Sequence, residues 1–236
     1  MEGWVHFTEE NGIGTVEFGH PQSNALPSQV LDLLAKTLQK ASEDDNVKVI
    51  ILKSSGHKTF CAGASFDELT RIQNDAEGLR FFSGFAKVIN ACRTSKKFII
   101  GQVQGKAVGG GVGVASSVDI CYASDEAAIK LSELAVGIGP FVIGPAVERK
   151  VGLSAFSQMA LNATEWQTAE WAKQKGLKVI YFIAPQVWAW KENRVNKMKQ
   201  CLDALYVILP FEKNFFEKKH NFHVDFVGHP LLDHIP

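Results

Sequence analysis

The chain has 236 residues, 46% of them hydrophobic and 21% charged, with 25 Lys and Arg balanced by 25 Asp and Glu. That length can bury a core for one domain or one and a half, and the even charge gives no electrostatic draw toward nucleic acid or an anionic membrane. No apolar run approaches the roughly 20 residues of a membrane span, and MEGWVHFTEENG lacks the basic-then-apolar order of a signal peptide. Cys61, Cys92, Cys121 and Cys201 have no CxxC spacing, which fits reduced thiols in a cytoplasmic protein.

In chain order, two short strands are expected at 4–9 and 12–18, turning at Asn11-Gly12. Residues 27–41 carry Val30, Leu31, Leu34, Leu38 and Ala41 on one helical face. The β-branched run at 47–55 reads as a strand buried on both faces. A helix at 76–92 leads to a strand at 98–103, a glycine-rich segment at 105–113, a helical turn and a strand at 118–123. This alternation predicts an α/β fold. From Leu153 the pattern is helical, with Thr164 as N-cap of a helix closed by Gly176. The tail predicts strand 179–183, helix 187–200, strand 204–209, helix 212–219 and strand 223–227. A domain boundary is expected near Gly176, giving domains 1–176 and 177–236.

Two glycine-containing stretches carry the chemistry. FCAGASFDEL (60–69) turns through Ala62-Gly63 into a short helix, and GKAVGGGVGVASSVDICYAS (105–124) opens a helix on three glycines. Helix starts hold unpaired N–H groups where the dipole favours negative charge, and two of them aimed at one point make an oxyanion hole. Glycine at a strand-to-helix turn is also common for purely steric reasons, so either stretch alone is only a turn.

Taken together with KLSELAVGIGP, the N-terminal SNAL and GLSAFSQMALNATEWQTAEWAKQKGL, these stretches resemble the enoyl-CoA hydratase/isomerase (crotonase) family over about residues 3–177. The resemblance implies a spiral of ββα units followed by helices that help form a homotrimer. It implies an acyl-CoA thioester as partner, with coenzyme A carried by the substrate and no other cofactor or metal. The amides of Ala64 and Gly110 would hold the thioester oxygen. Ala62, Ala64, Ser65, Phe66, Asp67 and Glu68 would line the acyl-CoA channel beside Gly109, Gly110 and Gly113. Ala25 and Leu26 would follow the CoA path. Hydratases of that family use two glutamates. Here the first position is Gly113 and only Glu133 remains, which fits a proton shuttle between carbons better than hydration. Asp67 and Asp119 read as a helix-start charge and a loop anchor.

The tail departs from that pattern. PQVWAWKENRV, LPFEK and VGHPLLD resemble lipid-A-disaccharide synthase, a two-lobed GT-B glycosyltransferase, over about residues 175–233. The resemblance implies a partial Rossmann-like fragment of the N-terminal lobe, without the lobe that binds the UDP-sugar donor. The chain is then an acyl-CoA enzyme with an added fragment, a lipid A synthase piece, or an inactive chimaera of the two. Apolar residues Ile180, Phe182, Val207 and Leu209 are expected on faces without their normal partners, leaving the tail loosely packed or prone to aggregate. His220, His223, His229 and His234 match no standard metal-ligand spacing.

Overall fold

The computed structural model describes residues 3–124, 126–182 and 184–228. The chain divides into two compact units, Met1–Gln167 and Thr168–Pro236. The division falls earlier than the junction expected near Gly176, because the helix before that glycine belongs with the tail.

The first unit is built on a five-stranded sheet. Strands β1 (Trp4–Glu10) and β2 (Ile13–Gly19) form an antiparallel hairpin. Asn11 and Gly12 turn it with φ of 53° and 85°, the left-handed pair that a tight two-residue hairpin requires. Strands β4 (Val49–Ser54), β7 (Phe98–Val103) and β9 (Ile120–Ala123) then add in parallel, in the order β1-β2-β4-β7-β9. Burial alternates along β4, with Ile50, Leu52 and Ser54 inside, so this strand does not have the two buried faces its run of apolar residues predicts. Helices α1 (Ser28–Glu43) and α3 (Asp75–Arg93) pack against each other. Val30, Leu31, Leu34, Leu38 and Ala41 form the buried face of α1, matching the helical period.

A two-residue pair, β3 (Ala25–Leu26) with β6 (Gly63–Ala64), and a three-stranded parallel sheet complete this unit. That sheet holds β5 (Thr59–Cys61), β8 (Lys106–Val108) and β10 (Ile129–Lys130) in the order β10-β8-β5. Helix α2 (Phe66–Leu69) follows β6, α4 (Gly110–Ser117) follows β8, and a 3-10 turn (Glu133–Val136) follows β10. Helices α5 (Gly144–Val151) and α6 (Leu153–Leu161) come next.

The second unit opens with α7 (Ala169–Gln174), whose N-cap is Thr168 rather than Thr164. The shift follows from Gln167, which exchanges two 2.9 Å backbone hydrogen bonds with Ile129 and keeps the preceding residues out of the helix. A parallel sheet β11-β12-β13 is formed by Ile180–Phe182, Ala204–Val207 and Asp225–Phe226. The helix expected at 187–200 is two, α8 (Val187–Trp190) and α9 (Arg194–Cys201), interrupted at 191–193. The next is α10 (Pro210–Asn214) continued by a π turn (Phe215–Lys219). Val187, Val195, Met198, Leu205, Val207 and Phe216 build a core within this unit. Val207 is fully buried there, which corrects the unpartnered face expected for it, whereas Ile180 is 45% exposed. The Phe182 side chain and residues 229–236, which include His229, His234 and the end of VGHPLLD, lie outside the described residues.

Candidate active site

The site grows from backbone rather than from side chains. Asn24, in left-handed conformation at φ 57°, is 4% exposed and ties three segments together. Its Oδ1 accepts from His20 N at 2.9 Å, and its Nδ2 donates to Ser55 O and Thr59 O at 2.9 and 3.0 Å. This fixes β3, which pairs Ala25 with Gly63 and Leu26 with Ala64. In that pairing Ser65 N donates to Leu26 O at 3.2 Å. Next to it, Gly63 N donates to Cys61 Sγ at 3.4 Å, so the Ala64 amide between these two is the candidate donor of this turn.

The second amide comes from α4. Gly110 is the first helical residue and no side chain caps this end, so its N–H is one of the unpaired donors of a helix start. A Cβ placed on Gly63 would lie 3.7 Å from Gly110 N, which brings the two glycine turns side by side. Gly109 has φ 52° and ψ −119°, a conformation open essentially to glycine alone. A Cβ at Gly109 would also stand 3.1 Å from Glu133 Oε1, and one at Gly110 would strike the Phe85 ring.

Between these turns lies a cavity of about 210 Å³. Ala62, Ala64, Ser65, Phe66, Gly109, Gly110 and Glu133 all line it. Phe81, Phe82 and Phe85 of α3 form one apolar wall and Val136, Ile138, Val142 and Ile143 another. In this setting Glu133 Oε2 is buried without a hydrogen-bond partner. Burial pushes the Glu133 carboxyl above its ordinary value, opposed in part by a backbone hydrogen bond. Cys61, pressed beneath the turn, is pushed up to about 12 by burial and stays a neutral thiol, its Sγ accepting from Gly63 N at 3.4 Å.

Five expected site residues stand elsewhere. Leu26 is fully buried in the core and Ala25 is half-buried, and their backbones serve the ladder to β6. Glu68 turns away from the cavity, where its Oε2 accepts from Ser28 N and Oγ at 2.9 and 2.7 Å. Asp67 sits in the first turn of α2 with Gln22 Nε2 at 3.5 Å. Gly113 is buried behind the wall, with Ile143 Cγ2 only 2.5 Å from where its Cβ would lie. Asp119 anchors a loop, as expected, by accepting from Ile99 N at 2.8 Å. The aromatic wall of α3 was not marked by the sequence, since its spacing signals only a buried helix face.

A strand-to-helix double turn beside a half-buried carboxylate, lining a mostly apolar cavity, defines the class of α/β protein to compare with. The family model for enoyl-CoA hydratase/isomerase matches residues 8–221, and the chain belongs to that family. Among solved structures, a Legionella pneumophila protein named as an enoyl CoA hydratase/isomerase (crotonase) is 30% identical with a TM-score of 0.67, over 72% of this chain and 66% of that one. A family protein of Silicibacter pomeroyi is 25% identical at a TM-score of 0.67, with 73% of each chain covered. Human enoyl Coenzyme A hydratase domain-containing protein 3 is also 25% identical at 0.67, covering 72% of this chain and 67% of its own. Those shares are close to that of the first unit.

A separate likeness is short. Lipid-A-disaccharide synthase 1 of Legionella pneumophila (strain Lens) is 52% identical over 68 residues, 28% of this chain and 17% of that enzyme. The Colwellia psychrerythraea enzyme is 48% identical over 64 residues, 27% of this chain and 16% of its own. The chain therefore spans less than a fifth of these synthases.

Among the described residues no helix is long and apolar enough to cross a membrane, and no group of three or more His, Cys, Asp and Glu is placed to hold a metal. His220 and His223 instead approach Glu192 and Glu217, at 3.0 and 3.1 Å.

Proposed function

We propose that the cavity of the first unit binds the acyl end of a CoA thioester. The Ala64 and Gly110 amides hydrogen-bond the thioester oxygen, and Glu133 alone moves a proton between substrate carbons. Taking a proton beside a thioester carbonyl puts negative charge on that oxygen. Fixed donors aimed at it favour the enolate over the ground state, and each such donor is worth about 3 kcal/mol in the barrier. The observation that carries this reading is Glu133 Oε2, buried and unpartnered in a mostly apolar cavity. Leaving a carboxylate so costs stability, and a raised carboxyl suits general acid–base work near neutral pH.

Double-bond migration fits this site better than hydration. Addition of water would use a second carboxylate, and the family position for it is Gly113, shielded by Ile143. Coenzyme A arrives with the substrate, so the reaction as written needs no resident cofactor. A homotrimer is the assembly this reading expects.

The second reading concerns residues 168–236. A 68-residue likeness of 52% is nearly the length of this unit, which supports a fragment of a lipid-A-disaccharide synthase lobe. In that reading the chain carries part of a synthase lobe beside the first unit, or is an inactive chimaera of the two.

The test is turnover of 2-enoyl- and 3-enoyl-CoA with titration of a saturated acyl-CoA. Glu133→Gln should keep acyl-CoA binding and lose about 10²- to 10⁴-fold in rate. Unchanged turnover in Glu133→Gln, or no acyl-CoA binding at millimolar ligand, overturns the proposal. Binding of a UDP-sugar instead would favour the second reading.

A further inference from the structure

Outside the cavity, a pair of lysines has no carboxylate partner among the described residues. Lys130 lies opposite Val108 in the β10–β8 register, and Lys106 is two residues before Val108, so both lysines share one face of that sheet. The bridge between Ile129 and Gln167 is antiparallel, which sets Trp166 opposite Lys130 on the same face. The side chains meet as this pairing requires. Lys106 Nζ stands 4.9 Å and Lys130 Nζ 4.6 Å from the centroid of the Trp166 ring.

Two ammonium groups thus share a single indole. The ring attracts each cation through its quadrupole, but it carries no net charge and leaves the pair's mutual repulsion uncancelled. Among the described residues, neither lysine has a carboxylate within 4.0 Å; the ion pairs there use Lys53, Lys87, Lys173, Lys213 and Lys219. Lys130 is half-buried on its strand, whereas Lys106 is exposed and Trp166 is 38% exposed, so the cluster is open to a small ligand. None of the three residues lines the acyl cavity.

The geometry points to a phosphoryl-binding site formed by Lys106, Lys130 and Trp166. A phosphate dianion neutralises both cations with one compact group and offers several oxygens to ammonium donors, which a single carboxylate does not. The phosphate is either free in solution or carried by a nucleotide whose base finds the open part of the indole.

The experiment is a titration of the full chain with inorganic phosphate and, separately, ADP, followed by the Trp166 indole N–H resonance and assigned with Trp166→Phe. A saturable shift that weakens by about tenfold or more in K106Q/K130Q, and survives in Lys106→Arg and Lys130→Arg, supports the site. Amide dispersion like that of the unsubstituted chain shows that K106Q/K130Q is folded. Tighter binding of ADP than of phosphate identifies the nucleotide as the source, and equal or weaker binding identifies free phosphate. No saturable shift with either ligand overturns the site. So does a shift that chloride reproduces at equal ionic strength, or one retained in folded K106Q/K130Q. No thioester enters this titration, so its failure leaves the reading of Glu133 untouched.

Discussion

Gly113 offers the sharpest test of whether a second carboxylate has room beside this cavity. An alanine there places Cβ 2.5 Å from Ile143 Cγ2, 2.7 Å from Ile143 Cβ and 3.3 Å from Ile89 Cδ1. Ile143 is 3% exposed and Ile89 5%, so neither can swing into solvent. Overpacking of this kind costs about 1–3 kcal/mol, and Gly113→Ala belongs near the top of that range because two contacts fall far inside van der Waals distance. The gain in helix propensity, about 1 kcal/mol for Ala over Gly, offsets part of it. Ile143→Ala alone should cost about 2–5 kcal/mol through the cavity it leaves. Combined, the new methyl occupies part of that space, and the pair should be more stable than the sum of the singles by about 1–2 kcal/mol. Urea unfolding of the four chains gives this coupling from the midpoints at constant slope. Strict additivity, or Gly113→Ala as stable as the unsubstituted chain, would show that Ile143 does not fill the position. The same closure predicts that Gly113→Glu alone gains no hydration activity.

Three further outcomes follow from the same contacts. Burial raises the Glu133 carboxyl, so its protonated form is the one the fold favours; that stability is full below the unfolded value of 4.5 and is lost as pH rises through the raised value. Glu133→Gln should therefore melt above the unsubstituted chain at pH 7, with the gap closing below 4.5, and an equal or lower melting point at pH 7 contradicts the desolvated carboxylate. Asn24→Ala strips three hydrogen bonds from a buried turn and should cost about 2–4 kcal/mol by denaturant titration, with enoyl-CoA turnover falling as β6 loses its register. Glu212, 1% exposed, accepts from Trp188 Nε1, Ile208 N and Leu209 N, and Glu212→Ala should cost about 3 kcal/mol, read as faster amide exchange along β12; unchanged exchange there would refute it.

Long periodic elements were legible in the sequence and short ones were not. The hairpin at Asn11-Gly12, the apolar stripe of α1 and the strands β4 and β7 follow from local rules. Strands β3, β6 and β10 have two residues each, too few to show a period, and exist because Asn24 and the neighbouring ladders hold them. Ala64, Gly109, Gly110 and Glu133 were all marked through the family resemblance, and the structure sets the four around one cavity. Phe81, Phe82 and Phe85 become a pocket wall only once α3 is set beside the turn of β6. Glu68, which the resemblance placed along the channel, instead reaches across to the start of α1, a contact no local pattern shows. In the tail, Trp188 and Glu212 satisfy each other over 24 residues of sequence, a pairing no local pattern announces.

A site made of peptide nitrogens constrains sequence differently from one made of side chains. Any residue but proline can supply an amide N–H, so selection acts on what lets the backbone arrive. Gly109 must be glycine for its φ and for the carboxylate of Glu133, Gly110 for the ring of Phe85, and Gly111 for Cys61 O, 2.5 Å from its Cβ position. Three adjacent glycines thus answer to three different neighbours. Substituting any one of them presses on a wall, a strand or the Glu133 carboxylate before it touches the N–H itself. This is why the glycine run is the clearest mark of the cavity in the sequence, although the proposed reading uses only one of its amide hydrogens.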